Sequence, residues 1–407
     1  MRYSELEYAR FCRRFEARLT ETILRHNPES TVVLSNDVSE GPDFALLASK
    51  GYSIFTIYHV DVVDYFCRIY LRGWIKPESA ARFYRWMFQH RHPPRPLAPR
   101  PPFGCRGRPL RSPRRAVGAG DPSCMDSRPA TAGNDVWDRQ LVRILGLVFQ
   151  KQQDSVLYSK GLIVPSERMK EVLLREYPGV NSDKIHVLPW GSWDDPATPE
   201  EVAKAKDDLQ TTYPSPPESW KLLMLSRISP EKGQDRLLKA LALWESRPDF
   251  PKEGITLLIS GEAAYMMGKR YAEKLKRLST RLTRCRVHFT GYASPAHKKA
   301  LFEISDLYVF PSRHESYGLT LLEALRAGLP VLATPSHGAE EVYQKGLGEM
   351  IPPSRESEIP RLLIDALKRL LSSRAALKEM GNRAKAWARG QEFSDAAARL
   401  AALLISR

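Results

Sequence analysis

The chain has 407 residues, of which 43% are hydrophobic and 27% charged, and its formal net charge is +15. This length predicts about two domains and this composition a globular protein, because single hydrophobic cores stop growing near ~250–300 residues. No apolar run approaches the roughly 20 residues of a membrane-spanning helix and no nucleic-acid motif is present, so the excess of cations favours nucleotide phosphates or an anionic membrane face as partners.

The N-terminal region alternates helical and extended patterns. Helices are predicted over 5–26, 41–51 and 64–90, and strands over 30–36 and 53–59. Strands that alternate with helices indicate a parallel sheet. The aromatic residues of 64–90 recur at helical spacing, which predicts a place in the core.

Residues 91–135 differ in composition from the rest of the chain. They contain ten Pro and nine Arg but no Lys, Glu, Ile, Tyr or Trp. Such a segment buries too little apolar surface to offset its ordering entropy, and a structureless loop of this length is unusual inside a compact domain. Two interpretations stay open: a disordered basic insertion, or an aberrant stretch translated out of frame.

Regular patterns resume beyond this segment. A helix is predicted over 139–157 and strands over 159–166 and 184–191, with Ser166 as the N-cap of the helix that follows the first of these strands. Residues 194–219 are rich in Asp, Pro and Glu around a short helix, and we predict that they form a linker between two domains.

The C-terminal half alternates short β-rich runs with longer helical patterns, which predicts a doubly wound sheet covered on both faces. Ligands of such sheets bind beyond the carboxyl ends of the strands. The predicted strands are 221–226, 255–260, 286–290, 306–310 and 330–334, and the predicted helices are 234–246, 264–281, 295–304, 318–327 and 356–373.

The loop after the first of these strands is basic. Arg227 and Lys232 lie in the run RISPEKG, and Gly233 permits a tight backbone before the next helix. Arg forms planar bidentate contacts with phosphate and Lys adds a point charge. Together they could neutralise a diphosphate, although two surface cations at a helix start are the simpler alternative.

The loop after the strand 306–310 begins a longer motif, PSRHESYGLTLLEALRAGLP. Gly318 lies where a helix should begin, so free backbone amides there would face an anion. Glu315 precedes this helix and Glu323 lies in its second turn, so both carboxylates can point into one cleft. A carboxylate is a good acceptor for vicinal sugar hydroxyls. Two Glu on a solvated helix face would be the alternative, but the neighbours of Glu323 are apolar.

These motifs resemble those of the retaining family-4 glycosyltransferases, which have a Glu-x7-Glu signature and the GT-B fold. The resemblance covers about 160–395. It implies two Rossmann-like doubly wound domains that face a cleft. The expected ranges are 1–193 for an N-terminal acceptor-side domain, 194–219 for the linker, 220–392 for a C-terminal nucleotide-sugar domain, and 393–407 for a helix that packs back toward the N-terminal domain.

The resemblance also implies site roles. Glu315 would lie against the donor sugar and Glu323 would bind the nucleotide ribose. Arg227 and Lys232 would hold the donor diphosphate and take the place of a metal ion, so no cofactor or metal is expected. The remaining nucleotide-binding positions would be Gly261, Tyr292, Gly318 and Leu319, of which Tyr292 would line the base pocket.

A histidine completes the expected catalytic set. The run SIFTIYHVD resembles the family's strand that ends in a His approaching the donor sugar, which makes His59 the candidate, with Asp61 behind it. The implied chemistry is front-face displacement, in which the departing diphosphate accepts the proton of the acceptor hydroxyl. His59, Glu315, Arg227 and Lys232 are therefore the predicted catalytic residues.

The N-terminal half departs from the family in two ways. The usual first strand with its glycine-rich loop is not visible, and the segment 91–135 interrupts the acceptor domain, so this domain is expected to be incomplete. Three functions stay open. They are a hexosyltransferase that uses a UDP- or GDP-sugar and a glycan or lipid-linked acceptor, a nucleotide-sugar-binding relative with impaired catalysis, and an epimerase or phosphorylase of the same fold.

The cellular location is predicted from the cysteines and the N-terminus. The five cysteines are scattered without a CxxC pair, which indicates reduced thiols, and the charged start of the chain is not typical of a secretory signal. We expect a cytoplasmic protein with peripheral contact at the inner, anionic membrane face.

Overall fold

The computed structural model describes residues 5–36, 38, 40–69, 75–91, 146 and 149–405. The segment 91–135, apart from its first residue, therefore lies outside the described residues, and both interpretations of it stay open. The predicted helix 139–157 is described only in part, as helical residues at 146 and over 149–158.

The N-terminal domain is built on a four-stranded parallel sheet in the order β1-β2-β3-β4. Tyr52, Ile54 and Leu162 are among its buried apolar side chains, and β3 is buried along its whole length. The strands are β1 Val32–Ser35, β2 Ser53–Ile57, β3 Gly161–Val164 and β4 Ile185–Val187. The helices are α1 Glu5–Ile23, α2 Phe44–Ser49, α3 Val62–Ile69, α4 Pro77–Arg91, α5 over 149–158 and α6 Glu167–Glu176.

The prediction of one helix over 64–90 is wrong, because the described residues 75 and 76 are not helical and separate helix α3 from helix α4. Pro77 is the first residue of α4, where its missing N–H costs nothing, whereas inside a helix its ring would clash with the preceding turn. The carbonyl of Lys76 accepts hydrogen bonds from Ser79 N and Ala80 N as α4 begins.

The C-terminal domain is built on a six-stranded parallel sheet in the order β10-β9-β8-β5-β6-β7. The chain proceeds outward from β5 in one direction and then returns to the other side of β5 at β8, so β5 and β8 flank a topological switch point. The strands are β5 Trp220–Leu225, β6 Ile255–Ser260, β7 Cys285–Gly291, β8 Leu307–Phe310, β9 Val331–Ala333 and β10 Gly348–Met350. The helices are α7 Pro199–Thr212, α8 Gln234–Glu245, α9 Tyr265–Ser279, α10 Pro295–Ile304, α11 Leu319–Ala327, α12 His337–Val342, α13 Ile359–Leu370 and α14 Arg374–Ala388.

The predicted linker contains a regular helix. In α7, Thr198 and Glu201 form a reciprocal capping box at 3.2 and 2.8 Å. Val202, Ala205 and Leu209 are buried in a core cluster of the C-terminal domain. Helix α7 is therefore packed on that domain. The division of the chain into 1–193, 194–219 and 220–392 stays a prediction.

The chain crosses between the domains twice, first near Ser192 and again near Glu392. The backbones of these two crossings are hydrogen-bonded to each other. Ser192 N donates to Gln391 O at 2.9 Å, and Phe393 N donates to Ser192 O at 3.0 Å. The second crossing leads into helix α15, Phe393–Ile405. Leu400, with Leu403 and Leu404, packs on the buried Phe55, Ile57, Ile163 and Leu188 of the N-terminal domain.

Candidate functional site

The loops after β5 and β8 meet at the switch point of the C-terminal sheet. Arg313 N donates to Glu231 O at 2.7 Å, and Arg236 Nη1 donates to the carbonyls of Pro311 and Ser312 at 3.1 Å each. Asp235 accepts from Arg313 Nη1 at 2.8 Å. Both loops are thus fixed relative to one another by hydrogen bonds and an ion pair.

Gly233 permits this close approach. Its φ of +69° lies in the left-handed region, and a Cβ built there would lie 2.0 Å from Pro311 O. Gly261, directly after the neighbouring strand β6, also permits a close approach, because a Cβ built there would lie 1.9 Å from Ser226 O. Ser226 N donates to Ser260 O at 3.0 Å, so the backbone that leads to Arg227 rests on the end of β6.

Helix α11 begins at the cleft. Gly318 is its N-cap with φ +80°, a left-handed conformation that other residues rarely adopt. No side chain of the N-cap therefore accepts a hydrogen bond from the first amides of the helix. The first amides of a helix have no partner within the helix, and the dipole there favours negative charge. The N-terminus of α11 therefore presents donors to an anion in the cleft.

Lys232 and Glu315 form an ion pair between the two loops. Their side chains are 10% and 19% exposed, so each charge is held with little access to water. The pairing joins the basic loop and the first Glu of the Glu-x7-Glu pair in one constellation, and both groups lie at the wall of the cleft.

His59 lies on the opposite wall, directly after β2. His59 Nε2 is 2.9 Å from Asn36 Oδ1, and the imidazole lies 5.9 Å from the ring of Trp190. Asp61 is buried within the N-terminal domain. Its Oδ1 accepts from Asp64 N at 2.8 Å and its Oδ2 from Gln152 Nε2 at 3.2 Å, so it caps α3 inside the N-terminal domain.

The two walls enclose a cavity of about 640 Å³. Six of the predicted site residues line it: His59, Arg227, Lys232, Glu315, Gly318 and Leu319. Sequence reasoning missed several other lining residues, which come from the domain crossings and from α15. They include Trp190, Trp193, Phe393, Ala396, Ala397 and Leu400. Further lining residues are Leu34 of β1, Asn36 just after it and Ile57 of β2, together with Ser226, Ser316, Tyr317 and Thr320 of the C-terminal domain.

Three predicted site residues do not line this cavity. Gly261 lies behind the Arg227 loop, as described above. Tyr292 is 74% exposed just before α10. Glu323 lies one turn beyond Leu319 on α11, where Lys298 Nζ is 2.8 Å from its Oε1.

A buried polar cluster joins the two domains behind the cleft. Asp64 of α3 is fully buried, and Arg68 Nε donates to its two oxygens at 2.8 and 2.9 Å. His314 Nδ1, from the loop that carries Glu315, is 3.3 Å from Asp64 Oδ2. Burial disfavours the charge of Asp64, but the hydrogen bond with His314 and the Arg68 guanidinium hold its pKa well below the usual range.

The second histidine of this cluster is neutral. Arg68 Nη2 lies 3.1 Å from His337 Nε2, and because a guanidinium only donates, that nitrogen accepts. Burial lowers the pKa of His337 to about 4, in spite of the nearby Asp64. A sequence signal for this cluster was absent, because Asp64 and His314 are 250 positions apart.

Two features are absent from the part of the chain that the structure describes. No group of three or more His, Cys, Asp or Glu side chains there is placed to hold a metal ion. None of the described helices combines the length and apolar character needed to cross a bilayer.

The C-terminal half matches a known family. Residues 205–387 match the family model of "Glycosyl transferases group 1", and this range contains Arg227, Lys232 and the Glu-x7-Glu motif. The match supports a glycosyltransferase domain in this half of the chain, which agrees with the resemblance drawn from the motifs.

Curated relatives give the same result. A GDP-mannose-dependent monoacylated alpha-(1-6)-phosphatidylinositol monomannoside mannosyltransferase of Corynebacterium glutamicum is 31% identical over 42% of this chain and 43% of its own length. A GDP-mannose-dependent alpha-(1-6)-phosphatidylinositol monomannoside mannosyltransferase of Mycobacterium tuberculosis is 31% identical over 54% of this chain and 55% of its own. The chain thus spans about half the length of these relatives.

Solved structures identify the fold. Anabaena Alr3699/HepE, in complex with UDP and glucose, superposes with a TM-score of 0.61 at 16% identity, over 96% of this chain and 81% of its own. A sucrose-phosphate synthase from Thermosynechococcus elongatus superposes with a TM-score of 0.60 at 16% identity, over 98% of this chain and 77% of its own. The prediction of a GT-B fold, with two Rossmann-like domains facing a cleft, is confirmed.

Proposed function

We propose that this protein is a retaining family-4 glycosyltransferase that moves a hexosyl unit from a nucleoside diphosphate sugar to a glycan or lipid-linked acceptor. One observation carries the proposal. The cations Arg227 and Lys232, the carboxylate of Glu315 and the N-terminus of α11 surround one cavity, and His59 faces them from the other domain.

The donor diphosphate is the natural occupant of this anion site. Arg227 and Lys232 neutralise its charge and the first amides of α11 donate hydrogen bonds to it. Because these groups stabilise the charge that develops on the leaving diphosphate, the proposed reaction needs no metal ion or other cofactor. Glu323 accepts hydrogen bonds from the ribose, Tyr292 lines the base pocket, and Gly261 is a further nucleotide-binding position.

The transfer step follows from this placement. The acceptor hydroxyl oxygen forms a bond to the anomeric carbon on the face from which the diphosphate departs, while the bond between that carbon and the phosphate oxygen breaks. The hydroxyl proton passes to the departing phosphate oxygen. Glu315 and His59 hold the sugar hydroxyls and exclude other orientations, so the configuration at the anomeric carbon is retained.

Donor and acceptor classes are proposed from the relatives. The names of the mannosyltransferases specify GDP-mannose and a phosphatidylinositol mannoside, and the HepE structure contains UDP and glucose. We therefore propose a UDP- or GDP-sugar donor. A lipid-linked acceptor would bring this protein into peripheral contact with the inner face of a membrane, in keeping with a cytoplasmic location and a net charge of +15.

Calorimetric titration with UDP, GDP and ADP tests the donor site. One nucleotide should bind, and Arg227→Ala and Glu323→Ala should each weaken its binding by about tenfold or more, since a charge-assisted hydrogen bond is worth ~1.5–3 kcal/mol. Arg281→Ala removes an exposed cation outside the cavity lining and should bind like the parent. Failure of a folded protein to bind any nucleotide would refute the donor-site assignment.

Turnover separates an active enzyme from a binding protein. With the nucleotide identified, a metal-free assay with matching nucleotide sugars should yield a glycoside of the donor's anomeric configuration, measured by NMR. An impaired nucleotide-sugar-binding relative is the second candidate, because among the described residues no strand with a glycine-rich loop precedes β1. Binding without turnover of any donor would favour that candidate.

A further inference from the structure

Glu323 is held by a cation that the proposed chemistry does not use. Lys298 of α10 has its Nζ 2.8 Å from Glu323 Oε1 and 2.7 Å from Asp195 Oδ2. The three side chains are only 16–17% exposed. One ammonium group is therefore shared by two largely buried carboxylates.

The orientation of α11 places Glu323 on the side of the donor. Leu319 lines the cavity, and Glu323 follows it by four residues, so both project from the same face of the helix. Tyr292 lies just before α10, the helix that carries Lys298. Glu323 and Lys298 thus lie next to each other on the face of α11 that presents Leu319 to the cavity.

Asp195 connects this pair to the first domain crossing. Its neighbour Asp194 accepts from Arg326 Nε at 3.0 Å and from Arg326 Nη2 at 3.2 Å. Arg326 Nη1 also donates to Glu392, next to the second crossing, at 2.7 Å. Lys298 and Arg326 together tie the region of α11 that carries Glu323 to both crossings.

The charge state of Glu323 depends on Lys298. Burial raises the pKa of Glu323, and the hydrogen bond and charge of Lys298 oppose that rise, while Asp195 adds to it. Tyr308 of β8 is another titratable group near Glu323, and its hydroxyl donates a hydrogen bond to Thr320 Oγ1 at 2.8 Å. Burial raises the pKa of Tyr308, so this hydroxyl stays neutral. A carboxylate is a stronger acceptor for two hydroxyls than the neutral acid.

We propose that Lys298 is a positioning residue that keeps Glu323 ionised and oriented toward the nucleotide ribose, with Asp195 fixing the ammonium from the domain crossing. The inference rests on the proposed role of Glu323. Lys298 itself makes no contact with the donor. Lys298 acts through Glu323 alone, and removal of Lys298 changes the protonation of the Glu323 carboxyl group.

Nucleotide titrations between pH 5.5 and 8.5 test this role. Lys298→Met removes the charge that opposes the effect of burial, so the pKa of Glu323 rises. A smaller fraction of Glu323 is then ionised at low pH than in the parent. Binding of the nucleotide identified above should be weakened about tenfold at the acidic end, the size of a lost charge-assisted hydrogen bond, and the loss should shrink as the pH rises. Lys298→Arg retains the charge and should restore a pH dependence like that of the parent.

The control is Lys299→Met. Lys299 follows Lys298 on α10 and donates to Ala197 O of the same crossing region at 3.4 Å, so its loss tests packing without the carboxylate pair. It should leave both affinity and pH dependence unchanged. Melting temperatures of all variants verify folding.

Two negative outcomes are distinguishable. A loss of the same factor at every pH in Lys298→Met, or no loss, would overturn the role of Lys298 while Glu323→Ala still reports on the proposed ribose contact. If Glu323→Ala binds as tightly as the parent, the ribose assignment fails and this inference fails with it.

Discussion

Gly233 lies where the loops after β5 and β8 touch. Its φ of +69° and the 2.0 Å between a built Cβ and Pro311 O leave no place for a side chain. Gly346 offers a contrast, because it has φ +91° but no atom within 4 Å of a built Cβ. A comparison of substitutions at the two glycines therefore separates the cost of backbone strain from the cost of the steric clash at the loop contact.

We predict that Gly233→Ala destabilises the protein more than Gly346→Ala. Both substitutions incur the ~1–2 kcal/mol of left-handed strain, but only the former must also displace the backbone of Pro311. Thermal melting should show the larger fall for Gly233→Ala, and nucleotide affinity should fall in this variant only. Equal melting temperatures of the two variants would show that the loops separate without cost.

At the scale of elements, a buried group of carboxyls joins the start of α3 to α5 and α6. Gln152 Nε2 donates to Asp61 Oδ2 at 3.2 Å and to Glu176 Oε2 at 3.1 Å. Burial raises the pKa of Asp61 to about 6, and burial together with the charge of Asp61 raises the pKa of Glu176. Glu176 Oε1 has no hydrogen-bond partner, which is costly for an ionised oxygen.

This group makes stability depend on pH. A carboxyl whose pKa is raised by folding binds more protons in the folded state, so stability is greatest below its unfolded pKa near 4 and falls as the pH rises through about 6. For Asp61 the change is of the order of 2 kcal/mol or more, since one pKa unit corresponds to ~1.4 kcal/mol.

Glu176→Gln should reduce this dependence. The amide oxygen still accepts from Gln152, but the side chain no longer ionises, so we predict a gain in melting temperature at pH 8 and little change at pH 5. Glu171→Gln changes an exposed carboxylate on the same helix and should follow the parent. A loss of stability at pH 8 in Glu176→Gln would show that the charged form of Glu176 is required.

At the scale of the whole molecule, polar contacts join the domains opposite the crossings. Asp64 contacts His314 at 3.3 Å, Arg168 Nε donates to Glu340 at 3.2 Å, and Glu167 N donates to Glu341 at 3.1 Å. Because His314 directly precedes Glu315, the N-terminal domain helps to position a proposed donor-sugar contact.

We predict that Asp64→Asn lowers kcat by about tenfold or more while it changes nucleotide Kd by less than about threefold. The substitution weakens the hydrogen bonds that Asp64 makes with Arg68 and His314 at the domain contact, whereas the proposed nucleotide groups lie in the other domain. Steady-state kinetics and calorimetry give the two quantities. Asp183→Asn, an exposed change in the N-terminal domain, is the control. An equal loss in both quantities would contradict an effect confined to the domain contact.

Local patterns predicted the elements where one signal dominated. Apolar runs predicted all strands of the C-terminal sheet except β10, which has three residues, and helices α12 and α14 were not predicted as regular elements. Ser166 caps α6 as expected, with Met169 N donating to its hydroxyl at 3.3 Å. The single helix predicted over 64–90 failed because its apolar spacing outweighed the signal of Pro77.

The sequence by itself determined the fold class and the two loops with candidate chemistry. It could do so because hydrophobic runs, glycines and charged residues within about ten positions of each other specify strand, turn and helix start. Only the tertiary structure decided that Lys232 pairs with Glu315, that Lys298 joins Glu323 to Asp195, and that Trp190 and Phe393 line the cleft. These contacts join residues from 25 to more than 100 positions apart, and their partners follow from strand order and domain packing, which no local pattern encodes.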